Sequence, residues 1–187
     1  MEALISLWLP ILLSAAAVFI VSSILHMAFT YHNTDFTGVP NEQQVMNDLG
    51  KQNIPPGDYM VPHAGTNKER QSPEFQEKIK KGPIATITVF KPEHMKMGGS
   101  LVQWFIFCLV VSIFAAYIAG LTIKQGEQYM FVFRITSIVA FAGYGLALFQ
   151  SSIWFKKKWS STFKSVFDAL IYALVTGGFF GWLWPAM

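Results

Sequence analysis

The sequence predicts an all-α membrane protein, a bundle of four transmembrane helices with a small, partly ordered loop domain after the first helix. Hydrophobic residues make up 52% of the 187 residues and charged residues make up 13%, about half the charged share of ordinary soluble domains. Two long stretches carry no Asp, Glu, Lys or Arg, one between Glu2 and Asp35 and one between Lys96 and Lys124. Each exceeds the roughly 20 residues with which a helix crosses about 30 Å of hydrocarbon.

Two further apolar runs, at 129–155 and 165–184, each contain one ionisable residue near an end, Arg134 and Asp168. Helices are expected because lipid offers no partner for an exposed backbone group. We therefore predict membrane helices at about 4–29, 100–123, 130–154 and 164–184. The chain then divides into a first helix (1–29), a polar segment (30–99) and a three-helix part (100–187).

The distribution of Lys and Arg predicts the orientation. Basic residues are concentrated in the cytoplasmic loops of membrane proteins. Eight lie in 30–99 and four more lie between the third and fourth helices, whereas the other side has Lys124 and Arg134 alone. We therefore expect the polar segment in the cytoplasm and both termini outside it.

The polar segment has the signals of short secondary-structure elements. The stretches 40–50 and 72–82 each read as a short helix, with a proline early and a glycine just past the end. Residues 54–63 are rich in proline and should be extended and turn-forming. The alternating, β-branched stretch 84–90 suggests a strand.

Small residues recur at every fourth position in the predicted helices. Such stripes let helix backbones approach closely and usually mark helix–helix seams in membranes. A glycine-lined conduction path is the alternative interpretation. The packing candidates are Cys108, Ser112, Ala116 and Gly120 in the second helix, Gly143, Ala147 and Ser151 in the third, and Ser165, Ala169, Ala173, Gly177 and Gly181 in the fourth.

Six polar residues are candidates for a polar path or for ligand binding, because ionisable groups inside a membrane are often functional. Hydrogen bonding or anchoring near the interface is the simpler explanation. Asp168 can pair locally with Lys164, four residues away, and should lie too far from Arg134 for an ion pair. The six candidates are His26, His32, His63, His94, Arg134 and Asp168.

We expect no metal or cofactor, with haem and copper as alternatives. Haem between two helices would require a second histidine at the depth of His26, and the remaining histidines lie outside the predicted helix interiors. The stretch Glu93–Gly99 mixes one imidazole with two thioethers, which are ligand types for copper. That set of ligands is a weak signal, and a single cysteine, Cys108, excludes a multi-cysteine zinc site.

The known motifs of enzymes are absent from the sequence. It contains no Ser-His-Asp spacing, phosphate-binding glycine loop or HExxH sequence. Basic residues mostly alternate with acidic ones, so a nucleic-acid partner is not expected. The sequence therefore favours a protein that is not an enzyme.

Four stretches carry a resemblance to a known family. They are the end of the first helix, from Leu25 to His32, and the segments 55–63, 141–154 and 168–185. Together they resemble a family of small bacterial inner-membrane proteins with no assigned activity, and the likeness spans nearly the whole chain. The resemblance implies a multi-pass protein of the bacterial inner membrane with a polar loop after its first helix, and it implies no catalytic residue.

The leading functional hypothesis is a non-catalytic membrane subunit that assembles with itself or with a larger membrane complex. The small-residue stripes and the well-specified loop motivate it. A small oligomeric transporter or channel is the first alternative, with His26, Arg134, Asp168 and the glycines of the fourth helix along its path. A haem- or metal-linked redox accessory protein is the second alternative.

Overall fold

The computed structural model describes residues 5–185. The α-helices are α1 (Trp8–Ala28), α2 (Glu42–Lys51), α3 (Asn67–Arg70), α4 (Pro73–Lys81), α5 (Met97–Thr122), α6 (Tyr129–Tyr144), α7 (Phe149–Phe155) and α8 (Trp159–Trp182). Short 3-10 helices lie at Tyr31–Thr34, Pro92–Met95 and Leu146–Leu148. The strands are β1 (Gly57–Val61) and β2 (Ala85–Val89).

Four helical segments are long and apolar enough to cross a membrane, which confirms the predicted all-α class. They are α1, α5, the span Tyr129–Phe155 and α8. The fourth segment begins at Trp159 rather than near residue 164. The first turn of this segment is polar in sequence, yet its Ser161 and Thr162 are buried. The Thr162 hydroxyl lies 2.7 Å from that of Ser152 on α7.

The third membrane segment is not one continuous α-helix. It consists of α6, a 3-10 turn and α7, and Gly145 lies at the first junction. A side chain at Gly145 would come within 3.1 Å of the Ala169 side chain on α8. The α-helix is therefore interrupted at a point where α6 and α8 are in close contact, in the way that 3-10 stretches commonly interrupt a helix.

Helix α8 lies between α1 and α6 and contacts both. On α8, Ala169, Ala173 and Gly177 are buried, whereas Ser165 and Gly181 are partly exposed. A side chain at Gly177 would lie 2.8 Å from the Phe133 carbonyl oxygen on α6. The small stripe of α8 therefore faces neighbouring helices of the same chain.

The other small residues are placed less uniformly. On α5, Cys108, Ser112 and Ala116 are buried and Gly120 is partly exposed. In the third segment Gly143 approaches Val111 of α5, although it is itself exposed. Ser151 is partly exposed, and Ala147 is exposed and lies in the 3-10 turn, so it does not continue the buried surface.

The polar loop forms a compact unit of its own, Gly38–Met97. Strands β1 and β2 pair antiparallel, with Gly57 opposite Val89 and Val61 opposite Ala85. The strand β2 and the helix α4 match the predicted positions, and the Ser72 hydroxyl caps α4 by accepting the Phe75 N–H at 3.2 Å.

Some details of the loop differ from the prediction. The segment 57–61 is a strand, whereas the sequence predicted only an extended, turn-forming stretch there. The first loop helix contains Gly50 and ends at Lys51, one residue beyond the predicted glycine stop. Gly50 has nothing within 4 Å of a side chain placed on it, so no close contact requires a glycine there.

The boundary between the membrane part and the loop lies after Thr37 rather than near residue 29. One compact unit runs up to Thr37 and resumes at Gly98. The segment 30–37 belongs to this unit because its 3-10 turn, Tyr31–Thr34, contacts α8. These contacts are made by polar side chains, which hydropathy alone had assigned to the loop.

Candidate functional site

The most buried side chain among the acidic and basic residues described is that of Asp168, on α8. It is 2% exposed, and no other Asp, Glu, Lys or Arg in residues 5–185 is buried to this degree. Its carboxylate accepts a hydrogen bond from the Tyr31 hydroxyl through Oδ1 and lies 2.7 Å from His32 Nε2 through Oδ2. A buried carboxylate is costly unless such partners replace water, so segment 30–37 is needed to satisfy Asp168.

His32 lies between two carboxylates. Its Nε2 faces Asp168, and its Nδ1 lies 2.6 Å from Asp35 Oδ2. An ionised carboxylate can only accept hydrogen bonds, so both ring nitrogens donate, and only the imidazolium can do this. Burial lowers the pKa of His32, but the hydrogen bonds and charges of Asp35 and Asp168 outweigh it and raise that pKa above its usual 6.5.

Lys164 closes the cluster from α8, but not as the sequence predicted. Its ammonium donates to Asp35 Oδ1 at 3.0 Å, to the Thr34 hydroxyl at 2.7 Å and to the Tyr31 carbonyl. The expected local pair with Asp168 does not form: Lys164 donates to the segment 31–35 instead, and the Asp168 oxygens accept from Tyr31 and His32.

The pKa values of Asp35 and Tyr31 reflect these contacts. Burial raises the pKa of Asp35, yet the hydrogen bonds from His32 and Lys164 prevail and lower it to about 2. Burial raises the pKa of Tyr31 strongly, and its hydrogen bond to Asp168 raises it further. Tyr31 is therefore a neutral donor. Two carboxylates face one imidazolium and one ammonium, so the cluster carries no net charge.

His26, at the end of α1, extends the cluster towards the membrane helices. Its ring stacks on that of His32, with centroids 4.6 Å apart and planes 8° apart. Its Nδ1 lies 3.0 Å from the Ser22 carbonyl oxygen, which can only accept, so Nδ1 carries a proton. In the neutral form of this ring, Nε2 is then the proton acceptor.

The structure brings together three of the six predicted polar residues, namely His26, His32 and Asp168. Arg134 is exposed on α6, and it forms none of the ion pairs in the described part of the chain. His63 and His94 are exposed in the loop unit. Both therefore lie in a different compact unit from the cluster.

Sequence reasoning missed the roles of Tyr31 and Asp35. A signal was present, since the stretch Tyr31–Asp35 places five polar residues directly after an apolar helix. The sequence placed His32 outside the helix interiors, as the structure does, but it did not indicate that this ring stacks on His26. His32 follows the helix by four residues, and the 3-10 turn folds it back against His26.

The donors of His26, His32 and Asp168 lie within 4.8 Å of one another, close enough to be considered for a metal. Two nitrogens that share a metal must point their in-plane lone pairs at one position, whereas the two rings are nearly parallel and stacked. In addition, both His32 nitrogens already donate to carboxylates. As arranged, these residues fit shared protons better than a metal ion. The same stacking leaves no space for a haem between the two imidazoles.

Comparisons with protein-family models, curated proteins and solved structures find no match to this chain. The resemblance to small bacterial inner-membrane proteins therefore stays a prediction.

Proposed function

We propose that this protein is a small membrane transporter or channel for protons, and that Asp168 and His32 form its proton-binding site. The observation that carries the proposal is the buried carboxylate of Asp168 on the membrane helix α8. Its Oδ2 lies 2.7 Å from Nε2 of His32. Ionisable residues within membrane helices are costly, and they often mark the path of an ion or a proton. Close-packed helices alone would not need one.

The chemistry suits proton exchange because donor and acceptor are already in hydrogen-bonding contact. His32 can pass its Nε2 proton to Asp168 Oδ2 and can regain one at the same nitrogen. The forward transfer breaks the His32 N–H bond and forms an O–H bond on Asp168, and the return transfer does the reverse, so the proton count of the pair is conserved. The stacked ring of His26, with Nε2 as acceptor, provides a further group beside His32.

The non-catalytic subunit hypothesis stays a prediction, and one of its supports has another explanation. The stripe of α8 that suggested assembly packs against α6 of the same chain at Gly177 and Gly181. We keep the bacterial inner membrane as the proposed location because of the family resemblance. The polar loop is proposed to lie in the cytoplasm because of the lysines that flank the helices.

Proton flux into liposomes tests the proposal. The full chain is reconstituted with a pH-sensitive dye inside, and a potassium gradient with valinomycin supplies the driving potential. We expect wild-type flux well above that of empty liposomes and at least a tenfold loss for Asp168→Asn, because the amide cannot take up the proton. His32→Gln should also reduce proton flux.

Asp48→Asn is the matched control, since Asp48 pairs with Lys51 on an exposed helix of the loop unit. It should conduct like the wild type. Asp168→Glu keeps a carboxylate and should retain part of the flux, which separates loss of the proton site from misfolding. Wild-type flux equal to that of empty liposomes would overturn the proposal, as would full flux in a folded Asp168→Asn protein.

A further inference from the structure

Two buried tyrosine hydroxyls near Asp168 have no hydrogen-bond partner of normal geometry among residues 5–185. They belong to Tyr144, at the end of α6 and 6% exposed, and to Tyr172, on α8 and 4% exposed. A buried hydroxyl without a partner is unfavourable. Buried polar atoms of this kind are commonly satisfied by internal water.

The two tyrosines continue inward from the charged cluster. Tyr172 lies one helical turn beyond Asp168, a rise of about 6 Å, and it belongs to the same buried cluster as Cys108 and Tyr144. The rings of Tyr172 and Tyr144 are 5.6 Å apart, edge to face. Tyr144 in turn interacts with Cys108 on α5.

Further polar groups follow along α5 and α1. Ser112 lies one turn beyond Cys108, and its hydroxyl is 3.0 Å from that of Ser14, the seventh residue of α1. Cys108, Ser112 and Ser14 are all fully buried. A line of buried O–H and S–H groups therefore leads from Asp168 to the middle of the bundle, where apolar side chains would otherwise be expected.

We infer that this line is a hydrated proton path, defined as Tyr172, Tyr144, Cys108, Ser112 and Ser14, which connects the Asp168 site with the centre of the membrane. Water between the two tyrosine hydroxyls would supply their missing partners. Each hydroxyl or water accepts one proton as it donates another, so a proton moves along the path with no net change in the chain. This inference rests on the proposed function and extends it to the route that the proton takes.

The single cysteine of the chain offers a direct test, because its S–H stretching band stands alone in the infrared spectrum. The full chain is reconstituted in lipid and transferred to heavy water, and conversion of S–H to S–D is followed. We expect conversion within minutes and at least a tenfold slower conversion in Tyr172→Phe and Tyr144→Phe. Those two variants should also lower proton flux. Cys108→Ser, which removes the band, verifies its assignment.

Tyr117→Phe is the matched control, because Tyr117 lies on α5 but is half exposed on the outer surface. It should leave both conversion and flux unchanged. No conversion over hours, or equal rates in the wild type and both path variants, would overturn the inference. Flux that depends on Asp168 without conversion at Cys108 would leave the proposed function standing and refute the path. Fast, tyrosine-dependent conversion without any proton flux would support the path and refute the proposed function.

Discussion

His32 and Asp35 hold the segment 31–35 on α8, and their pKa shifts predict how this attachment depends on pH. The Asp35 pKa is lowered from 3.8 to about 2, so its contribution is present above pH 3.8 and is lost as pH falls towards 2. The His32 pKa is raised, so its contribution is complete below pH 6.5 and is lost as pH rises through the folded value. The groups that face them are Tyr31, Lys164 and Asp168, with His26 stacked on the ring.

We therefore expect the attachment to be most stable between about pH 3.8 and 6.5. Hydrogen exchange of the Asp35 amide, which donates to the His32 carbonyl at 2.9 Å, measures this once intrinsic rates are corrected. Protection should fall on both sides of the window. His32→Gln should remove the loss at high pH, and Asp35→Asn should remove the loss at low pH. Protection that does not vary with pH would contradict the assignment of these charges.

At the scale of residues, the sequence identified some members of the cluster, such as His32, Lys164 and Asp168, but it missed others and did not predict the pairing. Lys164 and Asp168 are four residues apart on one helix, which favours a local ion pair. Each instead binds residues of the 3-10 turn more than a hundred positions away along the chain. Local spacing cannot anticipate this, because it does not contain the competing partners that tertiary folding brings near.

At the scale of helices, two adjacent glycines of α8 have opposite environments. A methyl group at Gly177 would lie 1.9 Å from the Ser137 hydroxyl oxygen and 2.8 Å from the Phe133 carbonyl oxygen. The hydroxyl can rotate away, but the backbone carbonyl cannot. At Gly178 the nearest atom, the hydroxyl oxygen of Tyr129, lies 3.9 Å away. Of these two adjacent glycines, Gly177 alone is therefore required for the contact between α6 and α8.

We expect Gly177→Ala to destabilise the bundle by about 1–3 kcal/mol, the usual cost of overpacking. Gly178→Ala should be neutral or stabilising by up to about 1 kcal/mol, since alanine favours a helix more than glycine does. Unfolding in detergent micelles, followed by circular dichroism, compares the two. Equal stability of both variants would mean that α6 and α8 do not pack as described.

The helices themselves were largely predictable. Length and hydropathy located all four membrane segments, since a helix must be long and apolar to cross lipid. The break between α6 and α7 was missed, because the sequence remains apolar through Leu146–Leu148. In the loop, the Ser72 cap of α4 could be predicted from its residue types. Strand β1 could not, because it is defined by its pairing with β2.

For the whole molecule, the central question is whether the chain acts alone. The small-residue stripe of α8 is used inside the chain, so any assembly must form through the outward surfaces of the helices, which carry large apolar side chains such as Ile106 and Phe114. We still expect a homo-oligomer or a larger complex, because lipid-facing helix surfaces of this kind can pack against other helices as well as against lipid.

Native mass spectrometry of the protein, gently extracted from its own membranes, measures this directly. Masses at whole multiples of 21.0 kDa would establish a homo-oligomer. Additional mass would identify a partner chain or a cofactor. A single species at 21.0 kDa would refute assembly, and the proton path would then have to function within one chain. Gly177→Ala should weaken the fold and Gly178→Ala should not. Comparing their masses therefore shows whether a loss of assembly follows from a loss of folding.

The sequence by itself determined the class of protein, the number of membrane segments and the outline of the loop. These features depend on local hydropathy, length and capping, which neighbouring residues carry. Only the tertiary structure decided that residues 30–37 belong to the membrane unit, that His32 joins Asp168, and that two tyrosine hydroxyls lie buried in the same cluster as Cys108. Those features depend on which helix faces lie side by side, and apolar helices of similar composition leave that choice to packing and to the few polar groups that must find partners.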